Sequence, residues 1–350
     1  MSRRLAASCF VLAILLGAYA LWPRPSGDAT LYCSVDQDQF QPIVTAFTKE
    51  TGIRVDSKGE TEASRSIGLA RALELEAKAP VADVFWANEI MNTVVLRDLG
   101  VFAPMPKDLL ESFPVAWRDP KGTYVAFAVR ARVLLVNTKL LPDRKEWPTS
   151  VDDLLAPRFG GEGRRVAVAR PLTGTTFTHA VALVVRDEAK GRAFWTGVAE
   201  RAKKGEVKAV PGNGAVMQLV RDEKNGIAFG LTDTDDARVA VSEGAPVEIV
   251  YPDQGEGQPG TCVIPNTVAL VKGGPHPEAG ERLARWLLSK ETERRLAEGP
   301  SANMPVREDV PTPSHLKRPG KDFRVMPVDW AAVGANRDRW ASFFQPLFER

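Results

Sequence analysis

The chain has 350 residues, 44% hydrophobic and 26% charged, with 46 basic against 44 acidic side chains. That length supports a large core and two domains rather than one, and the composition is neither disordered nor fibrous. Without the N-terminal segment that carries Arg3 and Arg4 the charges balance, so no basic surplus drives counterion release and nucleic acid is not an expected partner.

Residues 1–20 read as a signal peptide. Arg3 and Arg4 precede an apolar run from Leu5, and Ala18-Tyr19-Ala20 puts small residues at cleavage spacing. An uncleaved anchor competes with this reading, because the run from Leu5 to Trp22 approaches spanning length. After cleavage Cys33 and Cys262 remain; two cysteines make no framework, and both are expected as buried free thiols.

From Thr30 onward short apolar strands alternate with amphipathic helices, the pattern of a mostly parallel α/β sheet. A strand over 31–35 leads into a helix over 36–51, with Phe40, Ile43, Val44 and Phe47 at helical spacing and Gly52 as the stop. A second strand over 53–56 runs into a polar rim holding Glu60 and Glu62, and a helix over 63–79 follows. The third strand, over 80–85, ends at Trp86, Ala87, Asn88 and Glu89. Residues 101–120, rich in proline, form a surface connection. Residues 124–137 are long enough to cross between lobes and point Arg130 and Arg132 the same way.

The strand over 165–169 opens into Leu172-Thr173-Gly174-Thr175-Thr176, at a strand-to-helix junction. Unpaired backbone N–H groups at such a junction favour an anion or a ligand oxygen; the competing reading is an ordinary threonine cap. His179, one turn further on, reads as a packed core histidine. Helices over 188–203 and 214–223 follow, and Asn213 either caps the second or offers its amide to a ligand. Strands over 247–251, 261–264 and 267–271 come next, then helices over 278–288, 292–298 and 330–348.

The most distinctive stretch is Ile-Ala-Phe-Gly-Leu-Thr-Asp-Thr-Asp-Asp-Ala at 227–237. An apolar strand ends at Leu231, and Thr232, Asp233, Thr234, Asp235 and Asp236 meet at its end. Three aspartates within four residues repel one another, so the corner faces water, caps a helix, or holds something positive or hydrogen-bonding. Capping accounts for one or two of the five, and strand ends of open α/β sheets are where ligands bind.

The order of these motifs resembles the periplasmic solute-binding proteins of ABC importers, in the class that includes the ferric-iron-binding proteins. The phrases are Tyr-Cys-Ser-Val-Asp at 32–36, Phe-Thr-Lys-Glu-Thr-Gly-Ile-Arg-Val-Asp at 47–56, Ala-Asp-Val-Phe-Trp at 82–86, Ala-Arg-Val-Leu-Leu-Val-Asn-Thr at 131–138, Leu-Thr-Gly-Thr-Thr at 172–176 and Ile-Pro-Asn-Thr-Val-Ala-Leu-Val at 264–271. The resemblance implies a two-lobed periplasmic-binding-protein fold of type II, with hinge strands and a ligand held between lobes that close on it. On this reading residues 28–131 and 268–350 form the first lobe, with the C-terminal helices free to cross, and residues 132–267 form the second.

The resemblance also assigns sites. Thr173, Gly174 and Thr175 match an anion-binding loop and Asn213 a polar position beside it; Asp36 and either Asn88 or Glu89 fall at first-lobe ligand positions. Thr232 to Asp235 fall where ferric-binding members carry two adjacent tyrosines, and here that pair is missing. The ligand set expected from the residues and the resemblance together is Asp36, Glu60, Asn88, Glu89, Thr173, Gly174, Thr175, Thr176, Asn213, Thr232, Asp233, Thr234 and Asp235. Asp36, Glu89, Asp233 and Asp235 are the candidate oxygen ligands for Fe(III) with a synergistic anion. Ferric iron or an iron–anion complex is the cargo the resemblance implies first, and a phosphorylated, carboxylated or polyhydroxylated organic solute, which suits the same groups, is the alternative. The implied protein is a monomeric, non-enzymatic periplasmic component that delivers its solute to a membrane permease. The reading from another class is an exported hydrolase using Asp233 and Asp235 as an acid/base pair.

Overall fold

The computed structural model describes residues 27–60, 68–161, 163–300 and 302–349. The signal segment, Cys9, Glu62 and the start of the helix expected over 63–79 lie outside the described residues.

The first lobe begins with strand β1 (Ala29–Cys33), helix α1 (Gln37–Thr51), β2 (Val55–Gly59), α2 (Gly68–Leu75), β3 (Val84–Ala87), α3 (Ile90–Asp98) and the short α4 (Lys107–Glu111). The long β4 (Tyr124–Asn137) leads to β5 (Arg165–Ala169), α5 (Gly174–Arg186), α6 (Glu188–Lys203), β6 (Val207–Val210), α7 (Asn213–Arg221), β7 (Ile227–Asp233), α8 (Thr234–Ser242) and β8 (Val247–Val250). The chain returns through β9 (Val263–Leu270) and closes with α9 (Pro277–Leu287), α10 (Lys290–Glu298), α11 (Trp330–Ala335) and α12 (Arg337–Phe348).

The nine strands among the described residues form one sheet in the order β2-β1-β3-β9-β4-β7-β5-β6, with β8 also on β4. Strand β1 pairs in parallel with β2 and β3, and β5 in parallel with β6 and β7. Between these two parallel blocks β4 and β9 run antiparallel, β9 bonding both β3 and β4. Each block is thus the centre of one lobe, and β4 and β9 are the hinge strands. The carboxyl ends of β1 and β3 face those of β5 and β7 across the gap, where open α/β sheets place their ligands.

The hinge carries a built irregularity. The β4–β9 register shifts between Phe127 and Arg130, and Ala128 sits there at φ 42°, a conformation costly for a residue with a Cβ. Its N–H donates to Glu293 Oε1 at 2.9 Å and its carbonyl accepts from the Asn266 amide. Glu293 is fully buried and also accepts from the N–H groups of Val306 and Arg307, both at 3.1 Å.

Three elements depart from the sequence expectation. Helix α3 carries no amphipathic stripe because seven of its residues, Ile90 to Leu96 without Val95 and with Arg97, are buried; a helix covered on most sides loses the period-3.6 signal. Strand β6 is a four-residue edge strand with two lysine and alanine positions between valines, too short to stand out from a loop. Two expected strands over 261–264 and 267–271 are one strand, β9, with Pro265 inside it. Proline is accepted there because it lies opposite the β4 irregularity.

The C-terminal helix leaves the first lobe: Phe344 of α12 packs on Phe177 of α5 and Trp195 of α6, with centroids 6.1 and 5.9 Å apart. Cys33 and Cys262 are buried and free. Burial pushes both thiols up, Cys262 to about 12. His179 is buried, which with Arg132 nearby pushes its imidazole down, so it is a neutral core residue.

Candidate functional site

A cavity of about 660 Å³ lies between the lobes. Asp36 and Asn88 reach it from the first lobe, and Thr173 to Thr176, Asn213, Asp233, Asp235 and Asp236 from the second. Arg130 and Arg170 also line it. The Thr-Gly-Thr-Thr loop and the Asp-rich corner, far apart in sequence, meet because β5 and β7 are parallel neighbours and end at the same edge.

Two helices aim their N-termini at this space. Helix α5 starts at Gly174 and α7 at Asn213, and neither N-cap residue, Thr173 or Gly212, caps its helix with a side chain. Their first backbone N–H groups have no acceptor within their own helix and lie at the positive end of each helix dipole, an arrangement that suits an anion. Gly174 is at φ 59°, with no atom within 4 Å of where a Cβ would stand. Helix α1, whose N-cap Asp36 makes no side-chain cap bond, opens on the cavity from the opposite lobe.

The threonine hydroxyls themselves point elsewhere. Arg132, entirely buried under the loop, donates to Asp233 Oδ1 at 2.5 Å, Asn213 Oδ1 at 3.0 Å and Thr176 Oγ1 at 3.2 Å. Thr175 Oγ1 and Asn213 Nδ2 donate to Asp233 Oδ2 at 2.5 and 2.9 Å, and Thr176 Oγ1 donates to Asn213 Oδ1 at 3.0 Å. Both oxygens of Asp233 are therefore taken, and the side chains of Thr175, Thr176 and Asn213 are committed to a polar network that holds the loop in shape. The part of Thr175 and Thr176 in the anion-binding loop that the resemblance implies is thereby narrowed: their hydroxyls are spent on this network, which leaves the backbone N–H groups of the helix starts as the donors at the junction.

Further corrections follow. Glu89 is buried and caps α3, accepting from the Met91 and Asn92 N–H groups at 2.7 and 3.2 Å and from Thr178 Oγ1 at 2.8 Å. It lies outside the 660 Å³ cavity and is a helix cap, with its carboxyl pushed up by burial. Glu60 accepts from Leu69 N–H at 2.6 Å, at the start of α2, and does not line the cavity. Thr232 Oγ1 donates to the Asn213 carbonyl at 3.2 Å, and Thr234 Oγ1 accepts from Ala131 N–H at 3.2 Å. Three of the five corner residues, Thr232, Asp233 and Thr234, thus serve the fold, because a strand end wedged against β4 and α7 leaves buried polar groups that need partners.

Asp235 and Asp236 are the corner residues left facing the cavity. Asp235 Oδ2 lies 3.3 Å from Arg130 Nη1. Burial pushes the Asp236 carboxyl well up, and the charges of Asp235 and Asp233 add to it. Asp233, Asp235 and Asp236 bring one oxygen each within 4.8 Å of one another, but Asp233 already accepts from Arg132, Thr175 and Asn213, which leaves the last two as the freer ligands for a cation. None of the described tyrosines reaches the site. Tyr32 donates to Glu76, Tyr124 is buried beside Arg97 and Asp119, and Tyr251 packs on Phe323.

Sequence reasoning missed three arginines. Arg130 and Arg132 were legible as a same-facing pair on one strand but not as site residues, since the partner that decides their role, Asp233, is 101 residues from Arg132. Arg170 follows β5 directly, at the edge of the threonine loop, and nothing in its neighbours marks it.

The family model for the bacterial extracellular solute-binding proteins matches residues 79–326 of the chain. A putative 2-aminoethylphosphonate-binding periplasmic protein of Salmonella typhimurium is 28% identical over 313 residues, covering 87% of each chain. Iron uptake protein A1 of Synechocystis is 26% identical over 300 residues, covering 83% of this chain and 78% of that one. Among solved structures, iron-bound HitA from Pseudomonas aeruginosa superposes with a TM-score of 0.76 at 23% identity, covering 92% of this chain and 98% of that one.

Proposed function

The chain belongs to the bacterial extracellular solute-binding protein family, and from that premise we propose that it is the periplasmic capture component of an ABC importer whose cargo is a small organic anion. The residues 1–20 signal would export it, and a membrane permease would receive the solute. The cargo carries a phosphonate, phosphate or carboxylate group. One observation carries this reading: the uncapped N-termini of α5 and α7 converge on the interlobe cavity, with Arg130 and Arg170 beside them. Backbone N–H groups fixed by a rigid network cost little to organise and suit a tetrahedral or planar anion. The name of the Salmonella relative supports the same chemistry.

The lobes we assign are 28–131 with 268–350 and 132–267, with α12 leaning across onto the second. Closure follows from contacts that both lobes make with one ligand, since a solute shifts the open and closed populations only through its differential affinity for them. Binding rather than catalysis fits Asp233 and Asp235: each faces an arginine instead of flanking a bond to be cleaved.

A second reading has its own observation. Asp235 and Asp236 present hard oxygen ligands, and the relatives include an iron uptake protein. Ferric iron with an anion on the helix N-termini would use them together with Asp36.

Thermal unfolding of the purified protein separates the two. A ligand at a hundred times its dissociation constant adds about 2.7 kcal/mol of stability. Stabilisation by 2-aminoethylphosphonate or a phosphate ester, with ferric citrate and citrate acting alike, supports the organic anion. Stabilisation by ferric citrate alone overturns it in favour of iron.

A further inference from the structure

We infer that Arg130 and Asp235 together select the solute, admitting one that presents a hydrogen-bond donor beside its anionic group. This rests on the organic-anion reading and adds to it a second required group on the ligand.

Arg130 leaves β4 just after the hinge irregularity and lines the cavity with its side chain 12% exposed. Its Nη2 donates to the backbone carbonyl of Asn88 in the first lobe, and its Nη1 to Asp235 Oδ2 at the start of α8 in the second. One side chain therefore touches both walls of the cleft. The contact with Asp235 is 3.3 Å, longer than the 2.7–2.9 Å usual for a charged pair. Arg130 Nε and Asp235 Oδ1 are both buried and have no hydrogen-bond partner among the described residues. An unpaired donor on a cation and an unpaired acceptor on an anion thus belong to two side chains that line the same cavity.

Each atom excludes a simpler ligand. An anion alone would satisfy Arg130 Nε but would bring its charge against Asp235. A bare cation would satisfy the carboxylates but would meet Arg130. A molecule with an anionic oxygen for Arg130 and an ammonium or hydroxyl for Asp235 completes both without a like-charge contact, and buried polar groups are ordinarily paired in this way. Discrimination is expected to be large, because a site built around a donor is left with an unpaired buried group when the donor is missing.

Calorimetric titration with 2-aminoethylphosphonate and ethylphosphonate tests this. The native protein is expected to prefer the amine-bearing compound by tenfold or more. Asp235→Asn should bring that preference to about twofold by weakening only 2-aminoethylphosphonate, and Arg130→Lys, which keeps the charge but lacks Nε, should weaken both compounds. Circular dichroism and ligand-free melting check that each variant folds, and the native comparison decides the matter if either does not. Equal affinity of the native protein for both compounds, or a loss with Asp235→Asn that is the same for both, overturns the inference and leaves the anion site standing. Binding of neither compound overturns the organic-anion reading itself, and the inference with it.

Discussion

Asp233 and Asp236 are three residues apart and do opposite things. Asp233 is a structural counterion: it and Arg132 have side chains 3% and 1% exposed, and removing one partner of such a pair leaves a buried charge. From sequence, Asp233 and Asp235 look equally dispensable to the fold. The buried pair instead predicts that Asp233→Ala destabilises by about 3–5 kcal/mol, read as a lower urea midpoint. An unchanged midpoint would show that Arg132 finds another partner. Asp236 is held above the ordinary carboxylate range by burial and by its acidic neighbours. The folded state therefore keeps its proton to higher pH than the unfolded chain, whose carboxyl titrates near 3.9. Its contribution to stability is present below that pH and is lost as pH rises through the folded value. Asp236→Asn is accordingly expected to be more stable than the native protein at about pH 7.5 without ligand, with the gain vanishing toward about pH 4. A gain independent of pH would assign the effect to something other than ionisation.

Helices α5 and α6 form a tight pair that carries the anion loop on its leading end. A Cβ at Gly191 would stand 2.7 Å from the Val184 Cα and 2.8 Å from its N, so the two backbones touch with no room between. Gly191→Ala must push α6 away from α5, and overpacking of this kind costs about 1–3 kcal/mol. Because α5 also positions Gly174 to Thr176, the displacement should weaken anion binding as well as stability. A variant with native binding and a lowered melting temperature would show that the loop is held by the Arg132 network alone. The same element explains why the threonine loop was legible in the sequence and its chemistry was not. Four threonines and a glycine at a strand-to-helix junction mark a ligand-facing turn, whereas the direction of each hydroxyl depends on Arg132 and Asp233, which the chain supplies from other strands.

The whole molecule turns on β4 and β9. Ala128 is held at positive φ by Glu293 on one side and Asn266 on the other, and α10 thereby fastens the hinge to the first lobe. Glu293→Ala would leave the N–H groups of Ala128, Val306 and Arg307 without their acceptor. At about 1–3 kcal/mol for each buried donor left unpaired, the loss should be roughly 3 kcal/mol or more, seen in chemical unfolding. No change in the midpoint would show that Glu293 does not brace the hinge. Placing this irregularity next to Arg130 puts the residue that touches both lobes at the pivot, where a small rotation moves its guanidinium least.

By itself the sequence determined the alternation of strands and helices, the long crossing strand, the buried free cysteines and the family. These rest on local periodicity, on turn chemistry and on phrases that stay contiguous in the chain. Tertiary structure alone decided which polar groups are spent and which are open. Asp233, Glu89, Glu60, Thr232 and Thr234 read as ligands because carboxylates and hydroxyls at strand ends look alike in one dimension. In three dimensions each finds a buried donor or acceptor that must be satisfied, while Arg130 and Asp235, both lining the cavity, keep one buried atom each without a partner. Burial sets the cost of an unpaired polar group, and burial depends on contacts between residues a hundred positions apart.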